Sequence, residues 1–272
     1  MSIAARNEAS MLKIDPFKLS IAVAVALGCL SVPVTLAQSQ GSNVNPDTSS
    51  QFDASTPTNA DNLTESGIQL DALQMYHRAV HALHQGYAVP AEQDANRALQ
   101  IDRKFADAAA LAATAALMQE QFARAAEEAT QAIQINAADE KAYVVLATAQ
   151  NYLGHYSAAA DALRHVRPQE QQTWQVAYQW ARAEAGLQHL PECLEWLNRA
   201  ALSAPVSFAP LHLLRASALL AMGDNARAAD ELEVYLQFPS VNSAQRELLT
   251  QELHRLRQLP PSSAATSPVT GN

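Results

Sequence analysis

The stretch LLAMGDNARAADELEVYLQFP, residues 219–239, runs from an apolar segment through a glycine into a second segment of helical period. Gly223 ends the first pattern, Ala228 follows five residues later, and Leu232, Tyr235 and Leu236 then return at helical spacing. One such stretch predicts a helical hairpin. Glycine permits the positive φ that a tight turn requires, and a small residue lets the second helix approach the first. If the stretch recurs at a fixed interval, the chain is one unit used several times.

It recurs every 34 residues. Ala79, Ala113, Ala147 and Ala181 keep that interval, and Ala216 follows after 35. Ala91, Ala125, Ala159, Cys193 and Ala228 share the phase, as do Ala98, Ala132, Val166, Ala200 and Tyr235. Gly86, Gly154 and Gly223 fall between the two helical segments of their units, while Pro90 and Pro191 fall where a second helix begins and a missing amide costs little. The middle of the chain is alanine-rich and the whole holds eight glycines, a composition that favours helix over strand.

A helix-turn-helix unit of this period resembles the tetratricopeptide repeat (TPR) family. That family's small first-helix position matches Ala79, Ala113, Ala147, Ala181 and Ala216, and its second-helix alanine matches Ala91, Ala125, Ala159, Cys193 and Ala228. Its aromatic residue at the start of the second helix matches Phe122 and Tyr156, and its closing proline matches Pro205. Its early tryptophan is replaced by Met75, Ala109, Tyr143, Ala177 and His212. The resemblance implies an all-α, TPR-like α-solenoid of about five repeats over residues 68–240. Residues 241–258 follow as a capping helix, with Leu248, Leu249, Leu253 and Leu256 on one stripe and Asn242 or Ser243 capping its start.

The flanks differ from the repeats. Lys13 and Lys18 precede the apolar run of residues 21–37, which ends in Thr35, Leu36 and Ala37, so residues 1–37 read as a signal peptide cut after Ala37. An uncut amino-terminal anchor ranks second and lipidation at Cys29 third; only these alternatives involve a membrane. Residues 38–67 are rich in Ser, Thr, Asn, Asp and Gln and read as a disordered linker, and residues 259–272 read as a disordered tail. Export to the periplasm or outside the cell is therefore expected. With 17% charged residues and a net charge of −9, the chain has no basic stripe for nucleic acid.

No phosphate loop, nucleophile elbow or HExxH motif occurs, so neither an enzyme nor a cofactor is expected. His77, His81 and His84 share a helix face, yet no carboxylate or thiolate joins them and Arg78 is adjacent, so no metal site is assigned, and metal binding through this cluster ranks as an alternative function below a membrane-anchored structural or assembly protein. Cys193 replaces a packing alanine and reads as a small buried hydrophobe. Glu127, Glu128, Asp230, Glu231 and Glu233 read as a solvated outer face. In the TPR family the first helices line a concave groove. Carried to matching positions, this nominates Tyr76, Val80, Ala110, Thr114, Lys141, Val144, Thr148, Tyr152, Tyr178, Arg182, Leu213 and Ser217 as partner-binding residues. Tyr76, Ala110, Val144, Tyr178 and Leu213 stand where the family's carboxylate clamp would need charge, so a protein or peptide ligand with apolar side chains is expected instead.

Overall fold

The computed structural model describes residues 67–258, and the expected signal peptide, most of the linker and the tail lie outside them. The described residues contain helices and no strand. Five helix pairs follow one another: α1 (Leu70–His84) with α2 (Ala88–Ile101), α3 (Ala106–Met118) with α4 (Phe122–Ile135), α5 (Glu140–Leu153) with α6 (Tyr156–Leu163), α7 (Trp174–Gly186) with α8 (Leu190–Ala201), and α9 (Ala209–Ala221) with α10 (Asn225–Leu236). A final helix, α11, spans Ser243–Gln258.

All five pairs are joined by one turn. Gly86, Glu120, Gly154, Gln188 and Gly223 hold φ values of 81°, 59°, 79°, 66° and 80°. The residue after each donates its amide back to a carbonyl near the helix end: Tyr87 to Ala82, Gln121 to Ala116, His155 to Gln150, His189 to Glu184 and Asp224 to Leu219, at 2.9–3.0 Å. This is the Schellman arrangement, which satisfies carbonyls the helix end leaves open. Glutamate and glutamine adopt at two turns the left-handed backbone that glycine supplies at three.

The chain divides into two compact units, one ending at Arg167 and the other beginning at Pro168. In the amino-terminal unit, α2 packs between α1 and α3, α4 packs between α3 and α5, and the first helices of successive repeats also touch. Its core is built from alanine: Ala79, Ala113 and Ala147 on first helices and Ala91, Ala125 and Ala159 on second helices are fully buried. The methyl groups set close helix approach, which is why a fixed interval of small residues marks the repeat.

The third pair departs from this pattern. Its second helix, α6, has 8 residues where α2 and α4 have 14. Pro168 has no amide for the Arg164 carbonyl and disfavours a helical Arg167, so the helix cannot run its full length. The chain is held back on α5 instead, by the His165 ring stacked on Tyr143 at 4.5 Å and by an ion pair from Arg167 to Glu140. Val166 still reaches the buried position its phase requires.

The carboxy-terminal unit begins with a 3-10 turn, Glu170–Gln172, before α7. Its core uses larger side chains, among them Tyr178, Trp180, Leu197, Phe208, Leu211, Leu219 and Leu232. Helix α11 packs against α10. Asn242 Oδ1 caps it by accepting from the Gln245 amide at 2.8 Å, and the Gln245 side chain donates to the buried Tyr235 hydroxyl at 2.9 Å. The Arg246 guanidinium donates to the carbonyl of Leu236 at the end of α10 and to those of Phe238 and Val241 in the loop that follows. Leu249 and Leu256 are buried, but Leu248 is exposed and does not belong to the expected leucine stripe: it lies one residue, about 100° of helix, from Leu249.

Candidate functional site

In the amino-terminal unit the nominated groove residues lie on α1 (Tyr76, Val80), α3 (Ala110, Thr114) and α5 (Lys141, Val144, Thr148, Tyr152). In the carboxy-terminal unit they lie on α7 (Tyr178, Arg182) and α9 (Leu213, Ser217). Their hydroxyl groups are engaged locally. Thr114 Oγ1 donates to the Ala110 carbonyl at 2.8 Å, Thr148 to Val144 at 2.8 Å and Ser217 to Leu213 at 2.9 Å. A helical hydroxyl bonded to its own i−4 carbonyl has spent its proton, so these positions can accept from a ligand but not donate to it.

The aromatic candidates pack against their own unit. Tyr76 lies on Phe105 with ring centroids 4.9 Å apart, and Tyr152 stacks on Phe122 at 4.3 Å. Burial, and then the carboxylates of Asp107 and Asp139, push the Tyr76 hydroxyl above its ordinary pKa. Tyr178 is 6% exposed and meets Phe208 edge-on at 4.9 Å. Thr114 and Thr148 are also buried. Surface is therefore offered by half-buried Val80, Val144 and Leu213, by part of Tyr76 and Tyr152, and by exposed Lys141.

A second position carries chemistry that composition and helical period did not reveal. Asp94 on α2 is 6% exposed and pairs with Arg78 on α1 at 3.1 Å and with Arg97 at 3.0 Å. Glu231 on α10 holds Arg215 on α9 at 3.1 Å and His212 at 2.7 Å. In the fourth repeat the same two places hold Trp180 and Trp196, stacked at 5.3 Å, with Arg199 over the Trp196 ring at 4.4 Å. Arg78, Trp180 and Arg215 share one phase of the repeat, and Asp94, Trp196 and Glu231 share another. One contact between first and second helix is thus made as an ion pair at two repeats and as a tryptophan stack at a third. The phase could have disclosed it, had charged residues been aligned as the alanines were.

Glu128 has the phase of Asp94, and its expected place on a solvated face is corrected: its side chain is 13% exposed. Arg124 reaches it at 3.1 Å and also pairs with buried Glu92 at 2.6 Å, to which Gln119 donates at 2.7 Å. Burial first, then the charge of Glu92, raises the Glu128 carboxyl pKa. Glu231 is likewise half-buried, whereas Glu127, Asp230 and Glu233 are exposed as expected. Beside Glu128 an open cleft of about 730 Å³ lies between α2 and α4, lined by Asn96, Gln100, Arg103, Arg124 and Gln131 among others.

Cys193 is fully buried, and desolvation, then Glu184, pushes its thiol up to about 12. His77, His81 and His84 are exposed along α1, and among the described residues no three His, Cys, Asp or Glu side chains are placed to hold one metal ion. No described helix is long and apolar enough to cross a membrane.

No family model matches the chain, and no curated protein matches it. Solved structures do resemble it. TTC0263, described as a thermophilic TPR protein in Thermus thermophilus, is 16% identical with a TM-score of 0.52, over 67% of this chain and 99% of that one. YrrB, described as a TPR protein with an unusual peptide-binding site, is 15% identical with a TM-score of 0.53, over 66% and 92%. MamA from Desulfovibrio magneticus RS-1 is 13% identical with a TM-score of 0.54, over 65% and 99%. At such identities the likeness shows the fold, which is all-α and TPR-like.

Proposed function

We propose that the protein is a non-enzymatic scaffold of the cell envelope that binds a peptide or partner helix on its first-helix faces. The observation that carries this reading is the set of half-buried apolar side chains, Tyr76, Val80 and Val144, on first helices of the amino-terminal unit. With the Thr114 and Thr148 hydroxyl protons engaged, that face favours a ligand that brings apolar side chains over one that needs its backbone carbonyls bonded. The peptide-binding site named for YrrB supports a protein ligand by analogy of fold.

Export rests on the amino-terminal pattern of Lys13, Lys18 and the run ending at Ala37. Amino-terminal sequencing from the native host should begin near Gln38, and an intact start would make this a membrane-anchored assembly protein. The binding face is tested by crosslinking in the envelope fraction with Val80→Asp and Val144→Asp combined. Loss of the crosslinked protein is expected, and unchanged capture by a folded variant would remove this face from the mechanism.

A further inference from the structure

The outer stripe of α1 carries chemistry that partner docking leaves unused. Leu70, Gln74, His77, His81 and His84 follow one another at steps of four and three, which places them on one helix face, and all are exposed. The buried residues of α1, Ala72, Ala79 and Leu83, lie on the opposite side. Within its unit α1 packs on α2 and α3. The cation nearest in sequence, Arg78, is tied to Asp94 on α2 at 3.1 Å and touches the Met75 sulfur at 3.7 Å. The stripe itself carries no carboxylate, lysine or arginine.

His77 and His81 stand one turn apart, with about 5–6 Å expected between their Cβ atoms, the i, i+4 spacing with which two helical imidazoles take one ion. His81 has one side-chain neighbour on this face, the Gln85 amide at 3.4 Å, and His77 flanks Tyr76. His84 is two turns from His77, about 10 Å along the axis, too far to share an ion with it. Two imidazoles are half of a tetrahedral zinc shell, and the described residues supply no third ligand. A second copy of the same stripe, turned about a two-fold axis, supplies the other half. A divalent ion there also opposes the repulsion between two chains of net charge −9.

We propose that His77 and His81 form a bidentate imidazole half-site for a divalent transition ion such as zinc, and that the ion joins two copies of the chain through the α1 stripe. The test is sedimentation velocity and isothermal titration of the full chain, without any added histidine tag, using zinc sulfate alone. Zinc should bind at one ion per two chains and roughly double the mass, as a two-fold dimer requires, with chelator reversing both. His81→Ala and His77→Ala should each abolish binding and dimer, whereas His84→Ala should retain both. These side chains are exposed, so circular dichroism should confirm that each variant stays folded. Zinc without a change in mass, or a zinc-dependent dimer that survives the combined His77→Ala and His81→Ala substitutions, would overturn the proposal.

Discussion

The two units use the same turn, yet they fill their interiors differently. The amino-terminal unit fills most of its helix contacts with alanine, with Phe105, Leu99, Leu117 and Leu163 among its few large buried side chains, whereas the carboxy-terminal unit buries Trp180, Tyr178, Phe208 and several leucines. Alanine buries little apolar area, so stability there depends on many close backbone contacts. Large side chains concentrate the same driving force in few residues. A repeat can thus be held by closeness or by volume, and the two strategies fail under opposite substitutions.

That contrast can be measured in one molecule, because all three tryptophans, Trp174, Trp180 and Trp196, lie after Pro168 and their fluorescence follows the carboxy-terminal unit. The largest effect is expected there. Leu197→Ala or Leu219→Ala should cost about 2–5 kcal/mol by loss of burial and creation of a cavity, seen as an earlier fluorescence transition. A cost below about 1 kcal/mol would mean these side chains do not carry the core. In the amino-terminal unit the sensitive direction is enlargement. Ala147→Trp should cost about 1–3 kcal/mol or more, and hydrogen exchange should quicken in α4 and α6 as well as in α5. Protection that changes in α5 alone would break the account of shared packing.

The turn offers a control in which both units should respond alike. Glu120→Gly and Gln188→Gly each relieve a left-handed backbone that costs about 1–2 kcal/mol in other residues, less the flexibility that glycine adds to the unfolded chain. A net gain of about 0.5–1 kcal/mol at each is expected in urea titration, and destabilisation at either would show that the side chain compensates for its backbone. The last expected effect appears only in alkali. The Cys193 thiol is protonated in folded and unfolded chains below about pH 9, and from there to about 12 the unfolded chain loses its proton first. Stability should therefore fall across that window, and Cys193→Ala should remove that part of the fall. A thiol reagent that labels the native protein at about pH 8 as fast as it labels the unfolded chain would contradict the burial.

Alanines 34 apart disclosed the helix pairs, because a small residue at a close approach leaves the same mark in every repeat. Gly86, Gly154 and Gly223 disclosed three turns, but Glu120 and Gln188 concealed two, since nothing in a glutamate announces a positive φ. The early end of α6 had one mark in the sequence, Pro168. Functional positions were harder to read. A tyrosine on a first helix looks the same whether it faces a ligand or Phe208, and only the packing of the next repeat decides. Buried Asp94 and half-buried Glu231 were hidden because helical period alone treats a carboxylate as a surface residue, whereas a guanidinium one helix away can draw it inward.

The Arg246 side chain bears on how such an array can change its length over time. It occupies the carbonyls at the end of α10 and in the loop leading to α11, a helix that stands where the first helix of a sixth pair would. A second helix added after Gln258 would complete a sixth pair and leave the guanidinium where it is, whereas loss of α11 would strip it from all three carbonyls. The array can therefore grow on either side of this joint without breaking it.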